Sequence, residues 1–273
     1  MSVLLHLSDT HFGTERPHVA AALLRLAREA RPDIAVLSGD VTQRARRRQF
    51  AAARRFTEAL AAPVTLVIPG NHDIPLFNLA ARMLSPYANY LHAFGPELEP
   101  HFSGADMLVI GVNTTRPWRH KDGEISAAQI ERVARRLQGA MPRQLRVVAV
   151  HQPLLVIRDS DRANLLHGSR QAAHIWAAAG ADLILSGHIH LPYLRALHEP
   201  PAAACLPAWV VSAGTAISWR VREEQPNSVN LIRYDPAHKP RSCVIDRFDF
   251  DAGSASFRIA QTARLDLDPP IPC

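Results

Sequence analysis

The chain has 273 residues, of which 47% are hydrophobic, so it can bury one large core or at most two small ones. Its formal net charge of +6 comes largely from arginine, and the sequence contains neither a nucleic-acid motif nor aromatic residues interleaved with the basic ones. This composition disfavours nucleic acid as a partner. The densest arginine cluster is Arg44, Arg46, Arg47, Arg48, Arg54 and Arg55. We interpret the cluster as a solvated helix face, and an electropositive rim that attracts an anionic substrate is the alternative.

Three further features bear on the location of the protein. No apolar run approaches the roughly 20 residues of a membrane-spanning helix. The first ten residues already form a strand pattern that ends in polar groups, so we expect no signal peptide. The cysteines, Cys205, Cys243 and Cys273, have no metal-binding spacing, and their odd number disfavours a disulfide framework. Together these features predict a cytoplasmic protein.

Short apolar β-type runs alternate with amphipathic helical patterns along most of the chain. Strands are predicted at 3–7, 34–37, 64–68, 147–150 and 183–185, and helices at 18–30, 49–61, 126–137 and 170–179. The order is β-α-β-α-β, an irregular insertion, and then β-α-β-α-β again. Such an order predicts an α/β fold whose helices cover a largely parallel sheet.

The pattern changes after His190. Strands are predicted at 209–213, 229–234 and 243–250 with no helix between them, and we expect them to form a second sheet packed on the first. The predicted organisation is a single domain over residues 1–250 with an insertion at 74–102. A tail follows at 251–273, and its end is rich in proline.

Polar groups follow five of the predicted strands at the point where each strand ends. In order along the chain they are Asp9 and His11, Asp40, Asn71 with His72, His151, and finally His188 with His190. In α/β sheets the carboxyl ends of the strands are where ligand sites form. We therefore expect these side chains to converge.

Without His72, the set comprises seven oxygen and nitrogen donors and no thiolate, which suits Mn, Fe, Zn or Co better than Ca or Mg. Asp9/His11 and His188/His190 are i, i+2 pairs, and in extended backbone such pairs lie on one face. Seven donors are too many for one tetrahedral ion. They suit two divalent transition metal ions that share a carboxylate, for which Asp40 is the natural bridge.

The motifs D-x-H, G-D, G-N-H-D, a single H after a strand, and G-H-x-H occur in this order between Asp9 and His190. In this the sequence resembles the calcineurin-like binuclear metallophosphoesterases. The resemblance implies a four-layer α/β/β/α sandwich. It also implies one metal held by Asp9, His11, Asp40 and His190, and a second held by Asp40, Asn71, His151 and His188.

By the same resemblance, His72 binds no metal and either donates a proton to the leaving group or stabilises charge on the phosphoryl group. Many relatives orient this histidine with an acid three residues after the bridging aspartate. That position is Gln43 here, so His72 must be supported differently. Asp73 and a backbone carbonyl are the candidates.

Within the family, the chain most resembles the class III cyclic-nucleotide phosphodiesterases. This implies hydrolysis of a phosphodiester, first of all a 3',5'-cyclic nucleotide, by a metal-bridging hydroxide. The alternatives are a pyrophosphate hydrolase acting on a nucleotide-linked lipid such as UDP-diacylglucosamine, and a broad-specificity phosphodiesterase. A non-catalytic interaction scaffold is a remote alternative, because scaffolds of this fold usually lose metal ligands. A DNA-repair nuclease is disfavoured because no capping domain follows His190.

Substrate selection is expected to depend on loops at the strand ends. The apolar insertion at 74–102 forms either a substrate cap or a helical pair that packs on the domain. Arg158, Asn164 and His167 would face the phosphate or the sugar of the substrate, since arginine binds such oxygens bidentately. The predicted partner is a small anionic phosphodiester, with peripheral membrane contact if the substrate is a lipid. The oligomeric state is left open.

Overall fold

The computed structural model of the chain describes residues 1–197 and 208–268. The strands are β1 (Ser2–Leu7), β2 (Ile34–Ser38), β3 (Val64–Ile68), β4 (His101–Ser103), β5 (Met107–Gly111), β6 (Leu145–Ala149), β7 (Leu183–Ser186), β8 (Tyr193–Ala196), β9 (Trp209–Ser212), β10 (Ser228–Tyr234), β11 (Ser242–Asp251) and β12 (Ser256–Asp266). The helices are α1 (Pro17–Ala30), α2 (Arg47–Ala59), α3 (Leu79–Leu84), α4 (Ala88–Phe94), α5 (Ala127–Gln138) and α6 (Ser169–Ala178), with short 3-10 helices at Asn71–Asp73 and Asp159–Asn164.

The strands form two mixed sheets of six strands each within the described residues. The first has the order β12-β11-β10-β1-β2-β3, and its β1, β2 and β3 are parallel. The second has the order β4-β5-β6-β7-β9-β8, with β5, β6, β7 and β9 parallel. The parallel strands are central in the second sheet, whereas in the first they lie at one end, with β3 at the edge. The carboxyl ends of β1, β2, β3, β6 and β7 carry the polar clusters.

The two sheets pack face to face, and helices cover their outer faces. Residues such as Leu4, Val36 and Val147 fill the layer between the sheets. Helices α1, α2 and α4 bury their apolar faces against the first sheet, and α5 and α6 bury theirs against the second. The predicted four-layer α/β/β/α sandwich is confirmed.

Local sequence accounts for helix α5, which begins at a capping box. The Ser126 side chain accepts a hydrogen bond from the backbone N–H of Gln129, and the Gln129 side chain accepts one from the N–H of Ser126. Ile130, Val133 and Leu137 then recur on one face and are buried against the second sheet. The capping box and the helical spacing together explain why this segment was predictable.

The expected arrangement of the strands after His190 is wrong. They do not form a sheet of their own, because β10 pairs antiparallel with β1, and β9 pairs parallel with β7. Both sheets therefore contain strands from the N-terminal and C-terminal parts of the chain. Pairing with β10 gives β1 a neighbour on each side and places it in the interior of its sheet.

The predicted tail is also wrong for most of its length, because β12 pairs antiparallel with β11. Phe257 on β12 is buried and packs against Phe250, with ring centroids 5.6 Å apart. Residues 258–262 in the middle of β12 are exposed and only Phe257 and Leu265 are buried, so this strand shows little apolar periodicity. Residues 269–273 lie outside the described residues, as do Cys205 and Cys273, whereas Cys243 is buried between the sheets.

The insertion at 74–102 divides into two parts. Helix α4 packs on the core: Tyr90 is fully buried, and its hydroxyl donates to the carbonyl of Val67 at 2.6 Å. Helix α3 instead leaves its large apolar side chains in solvent, among them Leu79, Met83 and Leu84. Of the two helices in the insertion, only α4 packs on the domain as the helical-pair alternative expects. Among the residues described, no helix combines the length and the apolar character needed to cross a bilayer.

Because β12 belongs to the folded core, two substitutions on this strand should change the free energy of unfolding by different amounts. Phe257→Ala should lower the free energy of unfolding by about 3 kcal/mol, because it leaves a cavity under a buried aromatic pair. Ile259→Ala is the matched control, since that side chain is 56% exposed and its loss should change stability by less than about 0.5 kcal/mol. Chemical denaturation of both variants measures the difference. Equal, small effects would show that β12 does not belong to the folded core.

Candidate active site

The carboxyl ends of β1, β2, β3, β6 and β7 bring the predicted ligands together. Five of these residues have a positive φ, between 44° and 70°, which is uncommon for any residue except glycine. They are Asp9, His11, Asp40, His188 and His190. Strained backbone of this kind persists only where the surrounding structure holds it, and it clusters at functional sites. The strain here occurs just where the strands deliver their polar side chains.

The first group of donors comprises Asp9, His11, Asp40 and His190, whose nearest donor atoms all lie within 4.8 Å of one another. The Nε2 atoms of His11 and His190 face each other at 3.1 Å. Asp9 Oδ1 lies 3.2 Å from His190 Nε2, and Asp40 Oδ2 lies 3.7 Å from His11 Nε2. The two imidazoles and two carboxylates therefore point at one small volume.

The second group comprises Asp40, His151 and His188, and it shares Asp40 with the first. Asp40 Oδ1 and Asn71 Oδ1 each lie 3.3 Å from His151 Nε2. The structure thus brings all seven predicted donors into two adjoining groups. Asp40 is the carboxylate common to both, with one oxygen directed towards each group.

Backbone groups hold these donors in position. His151 Nδ1 lies 2.9 Å from the Ser38 carbonyl oxygen, and a proton on Nδ1 would leave Nε2 free towards Asp40. The backbone N–H of His188 donates to Asp9 Oδ2 at 3.0 Å, and that of His72 donates to Asp40 Oδ1 at 2.9 Å. Outer partners of this kind fix the orientation of metal ligands.

The charges of the site are set by burial and by mutual contact. Burial lowers the pKa of His11 and of His188 to about 3, so both imidazoles are neutral at pH 7. Burial would raise the pKa of Asp40, but the neighbouring imidazoles of His151 and His72 hold it well below its usual range. Burial also opposes charge on His151, yet the Asp40 carboxylate outweighs it and raises the pKa of His151 to about 9. The Asp40–His151 contact thus favours a positive charge, which either a proton or a metal ion can supply.

The donor set fits two divalent transition metal ions. Within residues 1–197 and 208–268, the buried atoms Asp9 Oδ1, His11 Nδ1 and His188 Nδ1 make no well-directed hydrogen bond, although His190 Nε2 lies 3.2 Å from Asp9 Oδ1. An unpartnered buried carboxylate oxygen is costly unless a cation offsets it. Carboxylate, amide and imidazole donors without thiolate are the ligands that Mn, Fe and Zn accept.

His72 lies beside the two groups, and the structure shows what orients it. Its Nδ1 is 3.0 Å from the backbone carbonyl oxygen of Gln43, and its Nε2 is 4.0 Å from Asp40 Oδ2. Of the two candidate supports, the carbonyl is the one in contact. Asp73 instead accepts hydrogen bonds from the backbone N–H groups of Val41 and Thr42, at 3.0 and 2.8 Å, and so braces the turn after Asp40.

A cleft of about 290 Å³ opens from this end of the sheets. It is lined by Gln43, Arg44, Asn71, His72, Ile74, Leu76, His120 and Arg220. Sequence reasoning missed His120 and Arg220, and it assigned Arg44 to a solvated helix face. Arg220 lies beyond the last motif, and no local pattern connects it with His72. Its guanidinium Nη1 donates to Gln43 Oε1 at 2.9 Å, which only the tertiary structure reveals.

The structure does not bring the three predicted substrate contacts to this cleft. Arg158 is half-buried and donates to Glu223 at 2.7 Å. Asn164 ends a 3-10 helix, and His167 is exposed while its backbone forms a bridge with Glu124. None of the three is among the residues that line the cleft.

The family profile described as calcineurin-like phosphoesterase matches residues 2–192. The chain belongs to this family. It is 27% identical over 180 residues to a "probable cyclic nucleotide phosphodiesterase" of Synechococcus, a match that covers 64% of this chain and 65% of the relative. It is 36% identical over 83 residues to a glycerophosphodiester phosphodiesterase of Enterobacter lignolyticus, covering 26% and 29% respectively. The matched part is thus less than two thirds of either curated relative.

The fold is also similar to that of a dimetal phosphatase from Danio rerio, with a TM-score of 0.64 at 13% identity. That match covers 98% of this chain and 99% of the zebrafish protein. At this level of identity the likeness concerns the fold alone.

Gly70 permits the close approach of β3 to Asp40. A Cβ added at Gly70 would overlap the backbone nitrogen and Oδ1 of Asp40. Gly70→Ala should therefore displace the shared carboxylate and sharply reduce divalent metal binding, as measured by metal analysis after dialysis against Mn²⁺ or Zn²⁺. Gly253→Ala is the control, because its Cβ would lie at an ordinary 3.5 Å from Asp251. Unchanged metal binding in a folded Gly70→Ala protein would contradict the role given to this contact.

Proposed function

We propose that the chain is a metal-dependent hydrolase of phosphodiesters. The observation that carries the proposal is the pair of donor groups that share Asp40, with His72 Nε2 4.0 Å from that carboxylate at the mouth of a cleft. Membership of the calcineurin-like phosphoesterase family supports the reaction class. The presence of all seven donors does not favour the scaffold alternative.

In this proposal Asp9, His11, Asp40 and His190 hold one divalent ion, and Asp40, Asn71, His151 and His188 hold the other. When bound, two such ions neutralise phosphoryl oxygens and lower the pKa of water so that it becomes a nucleophile near pH 7. Asp40 places negative charge between the two positions. The chemistry of the donors accommodates Mn, Fe or Zn.

His72 would assist departure of the leaving group. The Gln43 carbonyl accepts a hydrogen bond from Nδ1–H, which directs Nε2 towards the side of the ring where Asp40 lies. From there an Nε2–H can donate its proton to the oxygen of the departing alcohol. Asp40 Oδ1 also accepts from the His72 backbone N–H at 2.9 Å, so the acid and the shared ligand are positioned together.

A 3',5'-cyclic nucleotide is the first candidate substrate, because the Synechococcus relative bears that name. A diphosphate diester, such as a nucleotide-linked lipid, is the second. It is favoured by Arg44 and Arg220 in the cleft and by the exposed apolar residues of α3 that follow Leu76 in the chain. The names of both curated relatives describe phosphodiesterases, which also supports broad diester specificity.

Cytoplasmic location and peripheral membrane contact stay predictions.

The proposed reaction is tested with metal-loaded protein and four substrates: a cyclic nucleotide, a UDP-linked lipid, an aryl phosphodiester and an aryl phosphomonoester. Hydrolysis of diesters in preference to the monoester supports the proposal. Metal-dependent activity confined to the monoester would contradict it.

Asp40→Ala should reduce metal binding at both positions, because it removes the only carboxylate that the two donor groups share among the described residues. Metal analysis should find close to two ions per wild-type chain and well under one in the variant. Circular dichroism checks that the variant is folded. Retention of both ions with full activity would show that Asp40 is not a bridge.

His72→Ala should keep both metals yet lose about 10²–10⁴-fold in turnover, the usual range for a positioned general acid. The loss should be largest for alkyl esters, whose leaving alcohol most needs a proton. The measurement compares two phosphodiesters that share one ester group and differ only in the leaving group, which is an alkyl alcohol in one and p-nitrophenol in the other. Equal losses on both would mean that His72 acts through charge or position rather than as an acid.

A further inference from the structure

We propose that Arg44 and Arg220 form a second anion-binding subsite in the cleft, so that the preferred substrate carries an anionic group in addition to the reacting phosphodiester. The inference rests on the proposed function and deepens it. It concerns side chains that no sequence motif identifies, and it specifies the chemical class of the group bound, an oxyanion such as a carboxylate or a phosphate.

Arg220 lines the cleft without belonging to either metal-ligand group. His72 presents Nε2 to Asp40 and Nδ1 to the Gln43 carbonyl, so Gln43 lies on the opposite side of the ring from the shared carboxylate. The side chain of Gln43 in turn accepts a hydrogen bond from Arg220 Nη1 at 2.9 Å. The guanidinium is therefore held in the cleft through Gln43, and it is not among the donors grouped around Asp40.

The charge of Arg220 is available for a ligand. The neighbouring Arg222 is paired with Asp161 at 2.8 Å. Within the part of the chain that the structure describes, Arg220 makes no ion pair, and its side chain has one hydrogen bond, to the neutral amide of Gln43. The lining of the cleft contains no carboxylate in these residues either. A half-buried guanidinium without a carboxylate is suited to bind an oxyanion.

Arg44 supplies the second cation, from the loop that contains Gln43. It follows Gln43 in the chain and lines the same cleft. Its guanidinium carbon lies 5.3 Å from the centre of the Phe77 ring, a cation–π contact that positions the charge without neutralising it. Phe77 is 80% exposed, so this contact also places an aromatic face near the cleft. Two cations on one cleft exceed what the single charge of a phosphodiester requires.

The subsite distinguishes between the two candidate substrate classes. A 3',5'-cyclic nucleotide has one anionic group, which the metal-ligand end of the cleft would occupy, and it leaves Arg44 and Arg220 without a partner. A diphosphate diester, or a diester bearing a carboxylate, supplies a second charge. Electrostatic complementarity of this kind discriminates between ligands of similar shape.

Two synthetic esters of matched shape test the proposal directly. One is p-nitrophenyl 2-carboxyethyl phosphate, and the other is p-nitrophenyl isopentyl phosphate, in which a neutral branched group replaces the carboxylate. The metal-loaded wild type should have a kcat/KM about 10- to 100-fold higher for the carboxylate ester, the usual effect of one or two charge-assisted hydrogen bonds. Equal kcat/KM values would overturn the proposal.

Variants locate the source of the preference. Arg220→Met and Arg44→Met retain an unbranched apolar side chain but remove the charge, and each should lower kcat/KM for the carboxylate ester while affecting the isopentyl ester much less. Arg220→Lys should restore part of the preference. Arg135→Met, on the exposed face of α5, is the matched control for loss of an arginine. Equal losses on both esters in the Arg220 and Arg44 variants would mean that these arginines serve the reacting phosphoryl group or the fold, and would overturn the proposal.

Equilibrium binding separates this inference from the reaction itself. Calorimetry of metal-loaded protein with 2-carboxyethylphosphonate and with propylphosphonate needs no turnover. The carboxylate ligand should bind about 10-fold more tightly or better in the wild type, and this difference should vanish in Arg220→Met. If neither ester is hydrolysed, the proposed function fails while the binding difference still decides the subsite. Equal affinities for the two phosphonates would reject the subsite even if both esters are hydrolysed.

Discussion

The structure depends above all on the burial of one carboxylate, that of Asp40, at the junction of the two sheets. Asp40 is 2% exposed, and imidazoles approach it from both donor groups. A buried carboxylate is stable only with hydrogen bonds and compensating positive charge. The N–H of His72 supplies the first, and the donors grouped around Asp40 favour a cation as the second. The convergence of five strand ends meets this requirement.

The scaffold bears the strain that such convergence demands. Five non-glycine ligands adopt left-handed backbone, and Gly70 lies against Asp40 with no room for a side chain. Conformations of this kind cost stability individually, and they persist where the surroundings determine them. The strands that deliver them are central in their sheets and buried on both faces. The rigid four-layer core thus allows an active-site geometry that an exposed loop could not maintain.

Gln43 connects the proposed chemistry with the proposed selectivity. Its carbonyl orients His72, and its side-chain amide holds Arg220. An acid in place of Gln43 would neutralise the arginine and leave it unavailable for an anion. A neutral amide keeps the guanidinium in place without cancelling its charge. In the proposed subsite, Gln43 is therefore suited to a substrate that carries a second anionic group.

The sequence by itself indicated the polar residues that converge, the strands β1, β2, β3, β6 and β7, and the helices α1, α2, α5 and α6, because strand ends, capping boxes and apolar periodicity are local signals. Tertiary structure decided which sheet each C-terminal strand joins. It also decided that β12 is a strand, since only Phe257 and Leu265 of this strand are buried and its formation depends on pairing with β11. The cleft was likewise beyond local signals: Arg220 meets Gln43 across 177 positions of sequence, and Arg158, Asn164 and His167 lie elsewhere. Such contacts depend on the pairing of distant strands, which no short window of residues records.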